Sequence, residues 1–352
     1  MPSRPVPTGH DAHSDVTGPE ATRRAPSSPA AVVVALGVAV LSGSMVAVQS
    51  RLNGALAETV GSSVAAAVSF GSGLALLSLL LGAPTFRAHL RRVLDALRDR
   101  RLLWWQVLGG VGGGMLVSTQ TYAVPLIGVA AFLIAVIGGQ TTSALLVDRW
   151  GLGPAAPIAV SRGRVVAAAL SITGVALAAS AGFGQSGTSI GWLGAGAMVV
   201  SFGVGLAGSI QYALNGRVTQ VSSDPVATAW INFSVGLTTV LVIATVPLIV
   251  GKLTLPQRWD APWWAWCGGV CGIVFIAGAA WAVQHTGVLV FGLVAVTTQT
   301  SVGIALDLAN PAASERIGPV LLLGTAMTVL GAVVGGIGAH RSRHRATGSA
   351  RA

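Results

Sequence analysis

The chain has 352 residues, of which 53% are hydrophobic and only 9% are charged. Soluble domains carry about 25% charged residues, so this composition excludes an ordinary soluble domain and indicates a protein embedded in lipid. The net charge of +10 does not indicate nucleic-acid binding, because no nucleic-acid-binding motif accompanies it.

In chain order, a polar tail comes first and apolar segments follow. Residues 1–30 are rich in Pro, Ser, Thr and Arg, which is typical of a disordered tail. Each later apolar segment is close to the roughly 20 residues that a transmembrane helix requires. Spans 1 to 10 are predicted at about 31–52, 63–82, 104–123, 127–147, 163–182, 193–214, 226–250, 263–283, 288–306 and 318–338. The predicted fold class is therefore an all-α membrane protein with ten transmembrane helices.

The segments outside the spans carry most of the charge. The connector 83–103 is predicted to form a short amphipathic surface helix, and residues 341–352 form a basic tail. The apolar face of the surface helix is predicted to contain Leu90, Val93, Leu94 and Leu97.

The distribution of basic residues predicts the orientation. If the N-terminus is cytoplasmic, seventeen of the 21 Lys and Arg residues fall on the cytoplasmic side and four on the other. This bias follows the positive-inside rule and places both termini in the cytoplasm. Contact of the basic residues with anionic lipid is a secondary expectation.

An internal repeat divides the chain into two halves. The stretch "QSRLNG" at 49–54 returns as "QYALNG" at 211–216. Residues 104–148 align without a gap with residues 263–307, and 14 of the 45 positions are identical. The predicted repeats are 31–182 and 183–340. Because each contains five spans, the second is inverted in the membrane relative to the first, as is common in secondary transporters.

These motifs carry a resemblance to a known family. Ten helices in two inverted groups of five resemble the drug/metabolite transporter superfamily. Within it, "Q-x-x-x-N-G" followed by "SFGSG" or "NFSVG" is similar to the YdcZ-type family of inner-membrane exporters. The resemblance covers about residues 31–340. It implies a transporter of the bacterial cytoplasmic (inner) membrane and no particular substrate.

The repeated motif supplies the first candidate pathway residues. Gln49 and Asn53 share a helix face, and so do Gln211 and Asn215. They are interpreted either as a hydrogen-bonding patch of the pathway or as structural groups. In the structural interpretation each Asn-Gly pair ends its helix with a C-cap, and each glutamine bonds a neighbouring helix.

A second set of candidates lies closer to the bilayer centre. Gln140 and Gln299 fall near the middles of spans 4 and 9, with Thr141 and Thr300 beside them. They are predicted to bind a polar, uncharged or zwitterionic solute, and the alternative is hydrogen bonding between the two spans. Further predicted wall residues are Gln120, Tyr122 and Trp281, and Trp281 could equally anchor at the membrane interface.

Titratable and metal-binding groups are sparse. Glu58, Asp148 and Asp307 lie at span ends or in loops; they are candidates for proton coupling, and helix-end capping or solvation is the competing interpretation. Cys267 and Cys271 are interpreted as buried small hydrophobes. No cofactor and no metal site are predicted.

The predicted function is transport of a small solute across the bilayer by alternating access, with no enzymatic activity. A lipid or lipid-precursor flippase is the main alternative. A non-transporting scaffold is a further one, and it requires Gln140 and Gln299 to bond to each other. Small-residue faces on spans 5 and 10 are expected either to pack within the chain or to form a homodimer.

Overall fold

The computed structural model describes residues 29–153, 160–183, 189–251, 256 and 258–349. Within those residues every regular element is helical. The α-helices are α1 (Pro29–Val60), α2 (Ser62–Ser78), α3 (Pro84–Arg98), α4 (Gly110–Arg149), α5 (Arg162–Phe183), α6 (Ser189–Ser222), α7 (Pro225–Ile249), α8 (Gly268–Leu308), α9 (Pro311–Ser314) and α10 (Pro319–Ser349). Short 3-10 segments are Leu79–Gly82, Trp104–Gly109 and Trp263–Cys267. The predicted tail 1–30 lies almost wholly outside the described residues.

Eight described helices are long and apolar enough to cross a bilayer. One of them, Trp104–Arg149, has 46 residues. A straight helix of that length would measure about 69 Å at 1.5 Å per residue, more than twice the roughly 30 Å hydrocarbon core. Gly128 interrupts it with non-helical φ 83 and ψ 170. This break separates predicted spans 3 and 4.

Helix α8 covers most of predicted span 8 and predicted span 9 without a described break between them. Its described apolar parts are Trp263–Ala279, which is shorter than the other spans, and Phe291–Leu308. With Trp104–Arg149 divided at Gly128, the described helices supply nine candidate spans, and a shorter apolar segment stands at predicted span 8. The chain is a multi-pass membrane protein.

The principal helix pairs are α4 with α6, α1 with α8 and α5 with α10, and α2 also crosses α7. At the α2–α7 crossing, the rings of Phe70 and Phe233 lie 5.1 Å apart between centroids. Phe70 packs where a side chain on Gly236 would stand, and Phe233 packs on Gly73 in the same manner. Phe70 and Gly73 of "SFGSG" match Phe233 and Gly236 of "NFSVG" in the other half. These matched pairs therefore make reciprocal contacts.

Small residues allow α5 and α10 to approach each other closely. Gly174 and Gly324 each face the other's backbone, and Gly331 packs against Ser171. These two faces therefore pack against each other within the chain.

Filling this contact is expected to destabilise the helix pair. A Cβ at position 324 would lie 2.5 Å from the Gly174 carbonyl oxygen. Gly324→Ala should therefore lower the apparent melting temperature in detergent, because overpacking costs about 1–3 kcal/mol. The matched control is Gly163→Ala in α5, where no atom lies within 4 Å of the added Cβ. Equal melting temperatures for the two variants would contradict the close approach.

Hydrogen bonds near the helix ends join the segments that are predicted to be cytoplasmic. Nδ1 of His89 in α3 lies 2.7 Å from the Ser222 carbonyl oxygen at the end of α6. Arg217 of α6 donates from Nε to the Leu152 carbonyl oxygen at 2.6 Å. At the opposite face, Arg316 Nη1 donates to the Pro125 carbonyl oxygen at 3.5 Å.

The surface helix is present as α3, but its inward face differs from the prediction. Phe86, Val93 and Ala96 are buried, whereas Leu94 is 52% exposed. The face that packs on the protein therefore includes Phe86 and Ala96 and leaves Leu94 outside it. Val93 and Ala96 join Leu102 and Val218 in one apolar cluster, so α3 packs on the end of α6.

Candidate functional site

The repeated Asn-Gly motif lies inside helices and does not end them. Helix α1 continues past Asn53 to Val60, and α6 continues past Asn215 to Ser222. The predicted helix C-cap at these positions is therefore wrong. The positive φ values that follow these helices occur later, at Gly61 (φ 84) and Ser223 (φ 58).

Gly54 serves close packing instead of a turn. A Cβ at this position would lie 2.7 Å from Cγ1 of Val124 in α4. The first half of α4 therefore passes so close to α1 that only glycine fits, which explains why the motif pairs an asparagine with a glycine inside a helix.

Asn53 belongs to a buried polar chain between α1 and α4. Its Nδ2 donates to Gln120 Oε1 at 2.6 Å, and Gln120 Nε2 donates to Ser50 Oγ at 2.5 Å. Asn53 and Ser50 have no exposed surface, and Gln120 is 2% exposed. Asn53 Oδ1 and Ser69 Oγ are buried without a hydrogen-bond partner, and both face Gly268.

The second half repeats this arrangement with different partners. Asn215 Oδ1 accepts from Asn232 Nδ2 at 3.2 Å and faces Gly109, as Asn53 faces Gly268. Gln211 packs on Gly113 of α4. Its Nε2 would lie 3.0 Å from a Cβ added at that glycine.

Gln49 occupies the equivalent place in the first half. Its Nε2 would lie 3.1 Å from a Cβ on Gly272. The four motif residues thus sit against glycines of α8, of α4 and of the 3-10 segment before α4, where these elements pack on α1 and α6. The structure brings Gln49, Asn53, Gln211 and Asn215 to the two helix contacts between the halves.

Removing Gln120 is expected to destabilise the protein, because it breaks this buried hydrogen-bonded chain. In Gln120→Leu the Asn53 amide loses its acceptor in a buried site, which should cost about 1–3 kcal/mol. The double variant Asn53→Leu/Gln120→Leu should lose less than the sum of the two single variants, since transmembrane hydrogen-bond couplings average about 0.6 kcal/mol. The measurement is the apparent melting temperature of each variant in detergent. Strictly additive losses would show that the two amides are not coupled.

Gln140 lies on the face of α4 that packs against α6. Its Nε2 donates to Tyr212 Oη at 3.4 Å, and its carbonyl oxygen accepts from Ser209 Oγ at 2.7 Å. Its side chain also covers Gly208, where a Cβ would lie 2.9 Å from Nε2. The scaffold hypothesis requires a hydrogen bond between Gln140 and Gln299. No hydrogen bond joins their described side chains.

The neighbours of the two glutamines are placed as follows. Thr141 is half-buried beside Gly335, with its Cγ2 3.7 Å from a Cβ at that position. Thr300 is buried and donates to the Val296 carbonyl oxygen. Gln299 is half-buried. The side chain of Trp281 lies outside the described residues.

Asp307 has the most defined environment of the three carboxylates. It is 4% exposed and accepts from the backbone N–H groups of Val129 and Ala130 at 2.9 and 2.8 Å. These are the first N–H groups after the break at Gly128, so Asp307 caps a new helix start. The capping role, one of the interpretations open from the sequence, is the geometry observed.

The other two carboxylates differ from Asp307. Asp148 Oδ2 pairs with Nη2 of Arg164 at 2.6 Å, and the Arg164 side chain is only 3% exposed. Glu58 is exposed near the end of α1. The described residues contain no group of three His, Cys, Asp or Glu that could hold a metal ion.

Sequence reasoning missed several members of these networks. Ser50, Asn232, Tyr212 and Arg164 were not selected, although each completes a contact of a selected residue. For Asn232 a signal was present, since it opens the "NFSVG" stretch. Ser50 and Tyr212 also lie inside the two copies of the repeated motif.

Two cavities flank the α2–α7 crossing. One of about 270 Å³ is entirely apolar and is lined by Leu76, Leu77, Leu79, Leu80, Val226, Ala229, Ile273 and Ala277. The other, of about 170 Å³, is lined by Ser62, Ser63, Ser118, Tyr122, Val240, Ile243 and Ala244. Tyr122, a predicted wall residue, therefore lines the more polar cavity.

Comparison with known proteins places this arrangement among related sequences. The family model described as "Putative inner membrane exporter, YdcZ" matches residues 34–177 and 196–334. A search of curated proteins found no match. A solved structure described as "Crystal structure of protein" is 18% identical, with a TM-score of 0.47; the alignment covers 89% of this chain and 98% of that chain.

Proposed function

The chain belongs to the YdcZ family of inner membrane exporters, and from this membership we propose that it exports a small polar or amphiphilic metabolite by alternating access. It is a secondary transporter of the bacterial inner membrane, with both termini in the cytoplasm. The strong bias of basic residues toward one side supports this orientation. So do the contacts of His89 with Ser222 and of Arg217 with Leu152, which join predicted cytoplasmic ends.

The observation that carries the proposal is the reciprocal contact between matched residues of the two halves. Phe70 packs on Gly236 while Phe233 packs on Gly73, as a two-fold axis in the membrane plane would require. The same reciprocity relates Asn53 at Gly268 to Asn215 at Gly109. Repeats 31–182 and 183–340 are therefore proposed to be inverted copies that meet around a shared pathway.

Contacts between the halves occur at both membrane faces. At the outer face, Asp307 of the second half holds Val129 and Ala130 of the first. At the cytoplasmic face, Arg217 of the second half holds the Gly151 and Leu152 carbonyl oxygens. In alternating access these two sets of contacts open in turn, as one half rocks against the other.

The pathway groups set the chemical class of the solute. Gln140 and Gln299 are proposed as the central binding groups, with Thr141 and Thr300 beside them. Antiparallel contacts between α8 and the second half of α4 support this placement: Gly303 faces Leu133, and Asp307 reaches Val129. Continued along both helices, this register brings Gln140 within about one helical turn of Gln299. Amide and hydroxyl groups suit an uncharged or zwitterionic solute.

A metabolite-export experiment tests the proposal. Extracellular metabolites and toxin resistance are compared in cells that express the protein, cells that lack it and cells that express Gln140→Leu. We expect at least one small polar compound to accumulate outside only with the unaltered protein. Identical extracellular profiles in all three strains would contradict export.

A lipid or lipid-precursor flippase is the second candidate. The apolar cavity favours it, because Leu79 and Leu80 at its edge are 74% and 42% exposed and would face acyl chains. Reconstituted vesicles with a fluorescent phospholipid distinguish the two functions. Protein-dependent lipid translocation without export of a polar solute would favour the flippase.

A further inference from the structure

The smaller cavity has a wall made of hydroxyl groups. Ser62 and Ser63 begin α2, and Ser118 and Tyr122 lie one turn apart on the first part of α4. The opposite wall is apolar and comes from the last turns of α7. No charged side chain lines this cavity of about 170 Å³.

The larger cavity is its counterpart under the repeat, and residues of both halves line each cavity. Leu77 and Leu80 of the apolar cavity stand 163 positions before Val240 and Ile243 of the hydroxyl cavity. Both pairs are apolar, so this wall is kept in both halves. The repeat that relates the two halves therefore also relates the two cavities.

The hydroxyl-bearing wall is not kept. The counterpart of Ser63 is Val226, and the counterpart of Ser118 is Ala277. The related cavity on the other side of the α2–α7 crossing forms without these hydroxyls, so such a cavity does not need them to assemble. Their presence on one side only requires a different explanation.

The burial of one of these hydroxyls is energetically unfavourable. Ser118 Oγ is buried and has no hydrogen-bond partner. A buried hydroxyl without a partner loses its hydration without compensation. Ser62 Oγ, in contrast, donates to the Thr121 carbonyl oxygen at 3.2 Å. Ser118 therefore offers an unused hydrogen-bonding group beside the cavity.

We propose that the cavity formed by Ser62, Ser63, Ser118 and Tyr122 binds a small uncharged polyol. Hydroxyl groups both donate and accept, so they match the alternating donors and acceptors of a polyol. A charged solute would find no counter-charge in this wall. The cavity lies toward the proposed outer face, since Ser62 follows the end of α1. It would form an outward subsite of the proposed transport pathway, and in that respect the inference rests on the proposed function.

Equilibrium binding of radiolabelled erythritol to the purified full-length protein in detergent tests the site. The variant Ser63→Val/Ser118→Ala places the residues of the apolar cavity in the hydroxyl cavity. We expect saturable binding to the unaltered protein and an affinity at least about tenfold weaker in this variant, as for loss of about 1.4 kcal/mol of hydrogen bonding. Tyr122→Phe, which keeps the ring, should weaken binding in the same direction.

The matched control makes the reverse change in the apolar cavity. Ala277→Ser adds a hydroxyl at the position related to Ser118 and should leave erythritol binding unchanged. Unaltered affinity in Ser63→Val/Ser118→Ala, or no saturable binding to the unaltered protein, would overturn the proposed site. The assay requires no transport: binding without any metabolite export would contradict the proposed function alone, whereas export with no polyol binding would contradict this site alone.

Discussion

Gln140→Leu is expected to abolish export while the protein is still made and inserted in the membrane. The side chain donates to Tyr212 and covers Gly208 on α6, and leucine keeps a similar volume in an apolar environment. The substitution removes the amide that is proposed to bind the solute and should cost little packing. Gln299→Leu, at the matching position of the other half, should have the same effect. Export rate at equal membrane expression is the measurement.

Tyr212→Phe is the matched control for this prediction. It removes the hydroxyl that Gln140 contacts and leaves the amide itself in place. If the bond to Tyr212 is the role of Gln140, Tyr212→Phe should reduce export as strongly as Gln140→Leu. We expect a smaller effect. Unchanged export in both Gln140→Leu and Gln299→Leu would refute a central site at these residues.

Asp307→Ala is expected to destabilise the protein and to stop export. It removes the acceptor of two buried N–H groups at the helix start after Gly128. Hydrogen bonds to charged groups contribute about 1.5–3 kcal/mol each, and an N-cap replaced by alanine costs about 1 kcal/mol. The apparent melting temperature in detergent should therefore fall by several degrees.

Two further variants distinguish the loss of the helix cap from the loss of a negative charge. Asp307→Asn keeps an oxygen acceptor and should recover part of the stability. Glu58→Ala removes an exposed carboxylate near the proposed same face and should leave the melting temperature unchanged. A melting temperature of Asp307→Ala equal to that of the unaltered protein would contradict the capping role.

The sequence predicted the helices well because a bilayer imposes a length and an apolar composition on each of them. Nine of the ten predicted spans start within about four residues of a described helix or of a break inside one; the remaining start, at 288, falls where α8 continues without a described break. Phe70 of "SFGSG" and Phe233 of "NFSVG", which match between the two halves, are also residues that touch.

The errors have a common physical cause. Asn-Gly resembles a helix C-cap in sequence, yet in α1 and α6 the glycine admits a neighbouring helix and the asparagine bonds across the contact. Local patterns describe a single helix, and they contain no information on which helix will pack against it. Asp307 at a span end appeared ordinary for the same reason. Its partner N–H groups are 178 and 177 residues away in the chain.

Accessibility of position 140 to a membrane-impermeant thiol reagent tests alternating access most directly, because it requires no knowledge of the substrate. The chain contains only two cysteines, Cys267 and Cys271, so replacing both with alanine gives a background for Gln140→Cys. In sided vesicles, we predict labelling of position 140 from each face in separate experiments. Labelling from one face only, or from neither, would contradict a pathway that opens alternately to the two sides.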